Sequence, residues 1–190
     1  MPEPGTSFEQ LTESMKRAAA ALRDAGVPFL LGGGLALWAH GAPPSTHDID
    51  FYILREDAER AAAALAEAGM RIEQPPEDWL VKAYDGDVLI DLIFEPTSGP
   101  VTREVIERGH ELEVLALRLR VARPEDVIVA KLCALTEHEP DFSRLLEVAR
   151  ALREQVDWDE VRARTGESPF GRAFFVIAEG LGIVAEGRPG

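Results

Sequence analysis

Leu30-Leu31-Gly32-Gly33-Gly34-Leu35-Ala36-Leu37, followed after a short loop by Thr46-His47-Asp48-Ile49-Asp50-Phe51-Tyr52-Ile53, is the stretch whose reading decides the fold. In its second half Asp48, Asp50 and Tyr52 alternate with Ile49, Phe51 and Ile53, the period of two of a strand with one buried face. Both carboxylates therefore project to the same side. Asp is depleted in strands, and like charges on one face repel, so the pair costs stability unless a cation or donor compensates. A hard divalent ion such as Mg²⁺ meets that need, because it takes oxygen ligands from one or two carboxylates and from substrate phosphates.

The first half supplies a place for those phosphates. Val27 to Leu31 reads as a buried strand, Gly32 to Gly34 as a tight turn allowing close backbone approach, and Leu35 to His40 as a short helix. Free N–H groups at the start of that helix favour an anion. Three glycines alone also describe an ordinary strand-to-helix turn, and a lone Asp-x-Asp occurs in solvated loops. Their succession on strand, turn, helix and strand is far more specific. A third carboxylate, Asp91, is embedded in Val88-Leu89-Ile90-Asp91-Leu92-Ile93-Phe94, where an unpaired charge is costly to bury.

Composition narrows the class. The chain has 190 residues and 46% hydrophobic content, enough to bury one core. No run approaches the roughly 20 apolar residues of a membrane span, and Met-Pro-Glu-Pro-Gly is no signal peptide, so the expected compartment is the cytoplasm with no membrane partner. Cys133 is the single cysteine, which excludes an internal disulfide. Net charge is −14, and the first 121 residues carry 11 basic against 21 acidic side chains. Because Lys and Arg neutralisation of phosphates dominates nucleic-acid affinity, a long duplex is excluded as a partner, whereas a local basic groove is not. A cationic small molecule or a basic protein would be drawn to such a surface.

Elsewhere the pattern alternates helices and strands. Ser7 and Gln10 form a capping-box pair ahead of Phe8, Leu11, Met15, Ala18 and Leu22 at helical spacing. Arg55 to Ala68 reads as a helix ending at Gly69. Trp79 to Tyr84 and Val88 to Phe94 flank Asp85-Gly86-Asp87, a hairpin signal that places Asp91 on the return strand. A short helix around Glu104 to Arg108 and strands at Leu112 to Leu115 and Leu117 to Val121 follow. At Arg123-Pro124-Glu125-Asp126 the character changes, since Pro followed by two acids marks a helix start. Four helices are expected beyond it, near Pro124 to Thr136, Phe142 to Arg153, Trp158 to Arg164 and Phe170 to Leu181. The expected class is α+β: a small mixed or antiparallel sheet flanked by helices over residues 1–121, then a helical bundle over residues 122–190 packed on it.

Gly33-Gly34 and, after thirteen intervening residues, Asp48-x-Asp50, with Asp91 on a neighbouring strand, resemble the signature of the DNA polymerase beta-like nucleotidyltransferase superfamily. Pro124-Glu125-Asp126 ahead of Lys131, and Asp141 opening the next helix, are similar to the AbiEii and MenT toxin-type branch. The resemblance implies catalytic metal-binding roles for Asp48, Asp50 and Asp91, and nucleotide-binding roles for Gly33, Gly34, Thr46, His47, Lys131 and Asp141. It further implies one or two Mg²⁺ ions, a nucleoside triphosphate as co-substrate, and attack of an acceptor hydroxyl on the alpha-phosphorus with release of pyrophosphate. Local readings compete at three positions: Lys131 as a snorkelling side chain, Asp141 as a helix cap, His47 as structural. Two departures from the branch are Pro44, where an Arg is usual, and Pro140, where a Lys is usual; both remove positive charge near the triphosphate. The expected role is a bacterial toxin that modifies tRNA and is countered by a cognate antitoxin. Alternatives are an enzyme similar to aminoglycoside or lincosamide nucleotidyltransferases, and a non-catalytic nucleotide- or partner-binding module.

Overall fold

A computed structural model of the chain describes residues 7–45, 47–138 and 140–185. Thr46, one of the expected nucleotide-binding residues, lies outside them. Seven strands make one mixed sheet in the order β3-β4-β5-β2-β1-β7-β6. They are β1 (Phe29–Leu31), β2 (Asp48–Ile53), β3 (Arg71–Glu73), β4 (Leu80–Asp85), β5 (Val88–Ile93), β6 (His110–Val114) and β7 (Leu117–Val121). The helices are α1 (Phe8–Asp24), α2 (Gly33–Ala39), α3 (Ala58–Glu67), α4 (Arg103–Glu107), α5 (Pro124–Ala134), α6 (Ser143–Leu152), α7 (Trp158–Thr165) and α8 (Pro169–Gly180). The α+β class with C-terminal helices is as the pattern indicates.

Local chemistry accounts for most boundaries. The Ser7 and Gln10 capping box closes the start of α1, with Gln10 N–H donating to Ser7 Oγ and Ser7 N–H donating to Gln10 Oε1. Pro124 at the first turn and Glu125 and Asp126 beside it start α5, where acids oppose the positive helix end. The β4–β5 hairpin turns at Gly86, whose φ of +62° suits the left-handed region. Strand β3 has no counterpart in the sequence pattern. It is three residues long, exposed at both ends and at the sheet edge, so no hydrophobic alternation announces it.

The two faces of the sheet are divided by residue parity. On β2, Ile49, Phe51 and Ile53 are fully buried, and Phe51 meets the ring of Phe29 edge-on at 5.3 Å. Asp85 on β4 accepts a hydrogen bond from Ser14 Oγ at 2.8 Å and pairs with Arg17, which puts α1 on the face that carries the odd-numbered residues of β2 and β4 and the even-numbered residues of β5. Helix α3 packs against α1 on that side. The other face carries Asp48, Asp50 and Tyr52, flanked by Leu89, Asp91 and Ile93 of β5 and Leu80, Lys82 and Tyr84 of β4. Helices α2 and α5 touch each other, and α7 and α8 pack against α5, so one continuous core joins the sheet to the C-terminal helices.

Trp38 packs edge-on against Phe8 at 5.0 Å, and Trp158 sits among Phe174 and Phe175, so both are packing residues. Trp79 is one of the exposed large hydrophobics. Cys133 is half-buried, and its burial raises the thiol pKa, which disfavours the thiolate. Among the described residues no helix is long and apolar enough to cross a membrane.

Candidate active site

The strand pairing builds the site. β2 and β5 run parallel with Asp50 opposite Asp91 and Asp48 opposite Leu89, so three carboxylates leave the same face, two at one level and the third two residues along β2. One oxygen from each of Asp48, Asp50 and Asp91 lies within 4.8 Å of the others. Three carboxylate oxygens gathered within that limit suit a shared cation. Asp91 is 9% exposed, and its Oδ1 is buried without a hydrogen-bond partner; the nearest cation is Lys82 Nζ at 3.7 Å. A buried acceptor with no partner among the described residues, facing two further carboxylates, matches the oxygen donor set a divalent metal takes.

Electrostatics agree. Burial of the Asp50 carboxyl, and then the charge of Asp48, push its pKa up to about 7; Lys131 opposes this and Asp91 reinforces it. Burial likewise raises Asp91, with Lys82 opposing. Carboxylates held above their ordinary range are stabilised as anions once a cation arrives, so the residues present fit a metal such as Mg²⁺.

Side chains approach the glycine turn closely. Gly33 has φ +54°, and a Cβ there would fall 1.6 Å from Asp50 Oδ2. Gly34 likewise has no room for a Cβ, which would meet Ser45 at 2.4 Å. Gly32 N–H donates to the Asp50 carbonyl at 2.8 Å, and Gly32 packs on the Tyr52 ring. These glycines admit the Asp50 carboxyl beside the start of α2.

A cleft of about 580 Å³ opens beside the carboxylates, bounded among others by Gly34, Ser45, His47, Asp48, Lys131 and Arg144. His47 is exposed at its rim and Lys131, on α5, is half-buried. Asp141 does not join this group. It is exposed, and its Oδ1 accepts from Ser143 N–H at 2.8 Å, a local bond just ahead of α6 that lowers its pKa. Two residues absent from the sequence reading belong to the site. Lys82 could have been found by counting the hairpin register back from Asp85 and Val88, which pairs Lys82 with Asp91. Arg144 has no such local signal, because only the packing of α6 brings it to the cleft.

Comparison with known proteins places these features in context. The family profile described as "Uncharacterised nucleotidyltransferase" matches residues 8–179. No curated protein sequence matches the chain. Among solved structures, the crystal structure of ANT(2'')-Ia in complex with adenylyl-2''-tobramycin is 17% identical with a TM-score of 0.63, covering 89% of this chain and 98% of that one. The solution structure of the antibiotic-resistance factor ANT(2'')-Ia is 18% identical with a TM-score of 0.64, covering 92% and 95%. TM1012 of Thermotoga maritima, described as a nucleotidyltransferase, is 14% identical with a TM-score of 0.55 over 70% and 89%. At these identities the likeness is one of fold.

Proposed function

We infer the function from the premise that this chain belongs to that nucleotidyltransferase family and is an enzyme of its class. The reading the geometry supports best is divalent-metal-dependent transfer of a nucleoside monophosphate from a nucleoside triphosphate to a hydroxyl of a small-molecule acceptor. The observation that carries it is the convergence of Asp48, Asp50 and Asp91 within 4.8 Å beside the Gly33 turn. Two further facts support a small acceptor: the net charge of −14, adverse to a long polyanion, and a likeness that spans nearly the whole of ANT(2'')-Ia.

In this reading Asp48, Asp50 and Asp91 hold one or two Mg²⁺ ions, which when bound polarise phosphoryl oxygens and offset their charge. Lys131 contributes a fixed positive charge in the cleft that receives the polyphosphate. Asp91, on β5, accepts the hydrogen bond and then the proton of the acceptor hydroxyl and directs its oxygen in line with the alpha-phosphorus. The new oxygen–phosphorus bond forms as the bond to the bridging oxygen of pyrophosphate breaks. Rate comes from positioning and fixed charge rather than from covalent chemistry.

A second reading keeps the same chemistry and changes the acceptor to a tRNA end, in the manner of AbiEii and MenT toxins held in check by an antitoxin. Its support is that the Pro124-Glu125-Asp126 helix does carry Lys131 to the cleft. One experiment separates the acceptors: labelled nucleoside triphosphates and Mg²⁺ are incubated with the protein and either an aminoglycoside panel or total tRNA. Label on a small molecule, lost in Asp50→Asn, supports the first reading. Label on tRNA only, with growth arrest on expression, supports the second. Label on neither, without nucleotide binding, contradicts both.

A further inference from the structure

The loop that borders the phosphate cleft, Gly41-Ala42-Pro43-Pro44-Ser45, carries no charge, and Pro140, a few residues ahead of α6, carries none either. A nucleoside triphosphate brings about four negative charges to a site already holding three carboxylates, so two metal ions leave excess negative charge that fixed cations must offset. Of the residues lining the cleft, the fixed cations are Lys131 and Arg144.

Arg144 stands on the first turn of α6 and reaches across to the loop. Its Nη2 donates to the carbonyls of Pro43 at 2.6 Å and Pro44 at 2.8 Å, and its Nη1 donates to Glu147 Oε2 at 3.0 Å. A guanidinium carries five N–H donors. Among the described residues, those three bonds leave the Nε–H and one Nη1–H uncommitted. The planar fork is thus held at the cleft wall by two backbone acceptors while part of its donor edge stays available, a preorganised arrangement that a flexible Lys would not provide.

We propose that Arg144 is a polyphosphate-binding residue of this enzyme, supplying from α6 the positive charge that Pro43 and Pro44 cannot, and selecting nucleoside triphosphates over shorter nucleotides. The inference rests on the nucleotidyl-transfer reading. It adds a specificity determinant that the loop sequence conceals. The two proline carbonyls explain why the loop tolerates prolines: neither N–H is needed there, and both carbonyls are used to orient the cation.

The test is binding, measured calorimetrically with Mg²⁺ and a set of non-transferable adenosine and guanosine triphosphate analogues, the corresponding diphosphates and monophosphates, and inorganic tripolyphosphate. Arg144→Ala should weaken triphosphate and tripolyphosphate binding at least about tenfold, the loss expected for charge-assisted hydrogen bonds to phosphate, and leave monophosphate binding within about twofold. Arg144→Lys should recover part of the loss. A loop latch without phosphate contact would leave all affinities unchanged or weaken them equally, and either result overturns the proposal. If Arg144→Ala unfolds, Arg144→Gln, which can still donate to a proline carbonyl but has no charge, carries the same expectation. Wild-type protein that binds none of the ligands contradicts the nucleotidyl-transfer reading itself, a result distinct from a wild type that binds and an Arg144→Ala that binds equally well.

Discussion

Asp50 of β2 and Asp91 of β5 are register partners across a parallel strand pair, so their carboxyl groups leave the sheet at the same level and on the same face. Parallel pairing rarely places two acids opposite one another, because the repulsion is uncompensated by the ladder. Here the sheet tolerates it at the one spot where a glycine turn and a cleft also meet. Asp50→Asn should therefore reduce transfer more than about 100-fold while leaving the ion-free protein as stable as wild type or more so. Paired activity assays and thermal melts in chelator check this; a variant that melts well below wild type would make Asp50 a structural residue.

Gly33 is constrained twice, by its φ of +54° and by the Asp50 Oδ2 that a Cβ would strike at 1.6 Å. Gly86 has a similar φ of +62° but nothing within 4 Å. Gly86→Ala should cost only the backbone term, about 1 kcal/mol, whereas Gly33→Ala should cost more than about 3 kcal/mol and displace the Asp50 carboxyl. Denaturant melts of the two variants give the comparison.

Asp126 at the start of α5 accepts from Arg108 Nη2 at 2.7 Å and Nε at 3.1 Å and from Arg164 Nη1 at 2.6 Å, tying α4, α5 and α7 together. The carboxylate is buried while both guanidinium groups keep about a third of their surface in water. Asp126→Ala should cost about 2 kcal/mol, below the usual figure for a fully buried pair because the stranded cations can hydrate. Melts in denaturant check it, and a change under about 0.5 kcal/mol would make the cluster incidental.

His40 caps α2, its Nε2 lies 3.0 Å from the Ala122 carbonyl, and its ring centroid is 5.4 Å from that of His110. Burial lowers its pKa from 6.5. The folded state therefore favours the neutral ring, and stability is fully present above pH 6.5. It should fall as pH drops below that value, where the unfolded chain takes up the proton first. Melting wild type and His40→Gln between pH 8 and pH 5 should show a steeper acid-side loss in wild type; parallel curves would contradict it.

The sheet face and its acids were readable because strand periodicity is local: Asp48 and Asp50 declare their face through Ile49 and Phe51, and the Asp85-Gly86-Asp87 turn puts Asp91 on a return strand. Their meeting needed only β2 beside β5. Gly33 and Gly34 signalled a close approach, yet not that the approaching groups are Asp50 and Ser45, which depends on how the loop folds back. Strand β3 escaped because an exposed three-residue edge has no alternation to detect. Arg144 escaped because its place is set by the docking of α6, a tertiary event with no signature in neighbouring residues, and Asp141 is engaged by a local bond from Ser143 N–H.

The central claim, that Asp48, Asp50 and Asp91 act as one metal site, is tested most directly by titrating Mn²⁺ into the protein and following the free ion by electron paramagnetic resonance, with wild type, Asp50→Asn and Asp91→Asn side by side. Saturable binding in wild type that each substitution removes or weakens at least about tenfold is the predicted result. Equal Mn²⁺ uptake by all three proteins, or none by wild type even with a triphosphate analogue present, would contradict it.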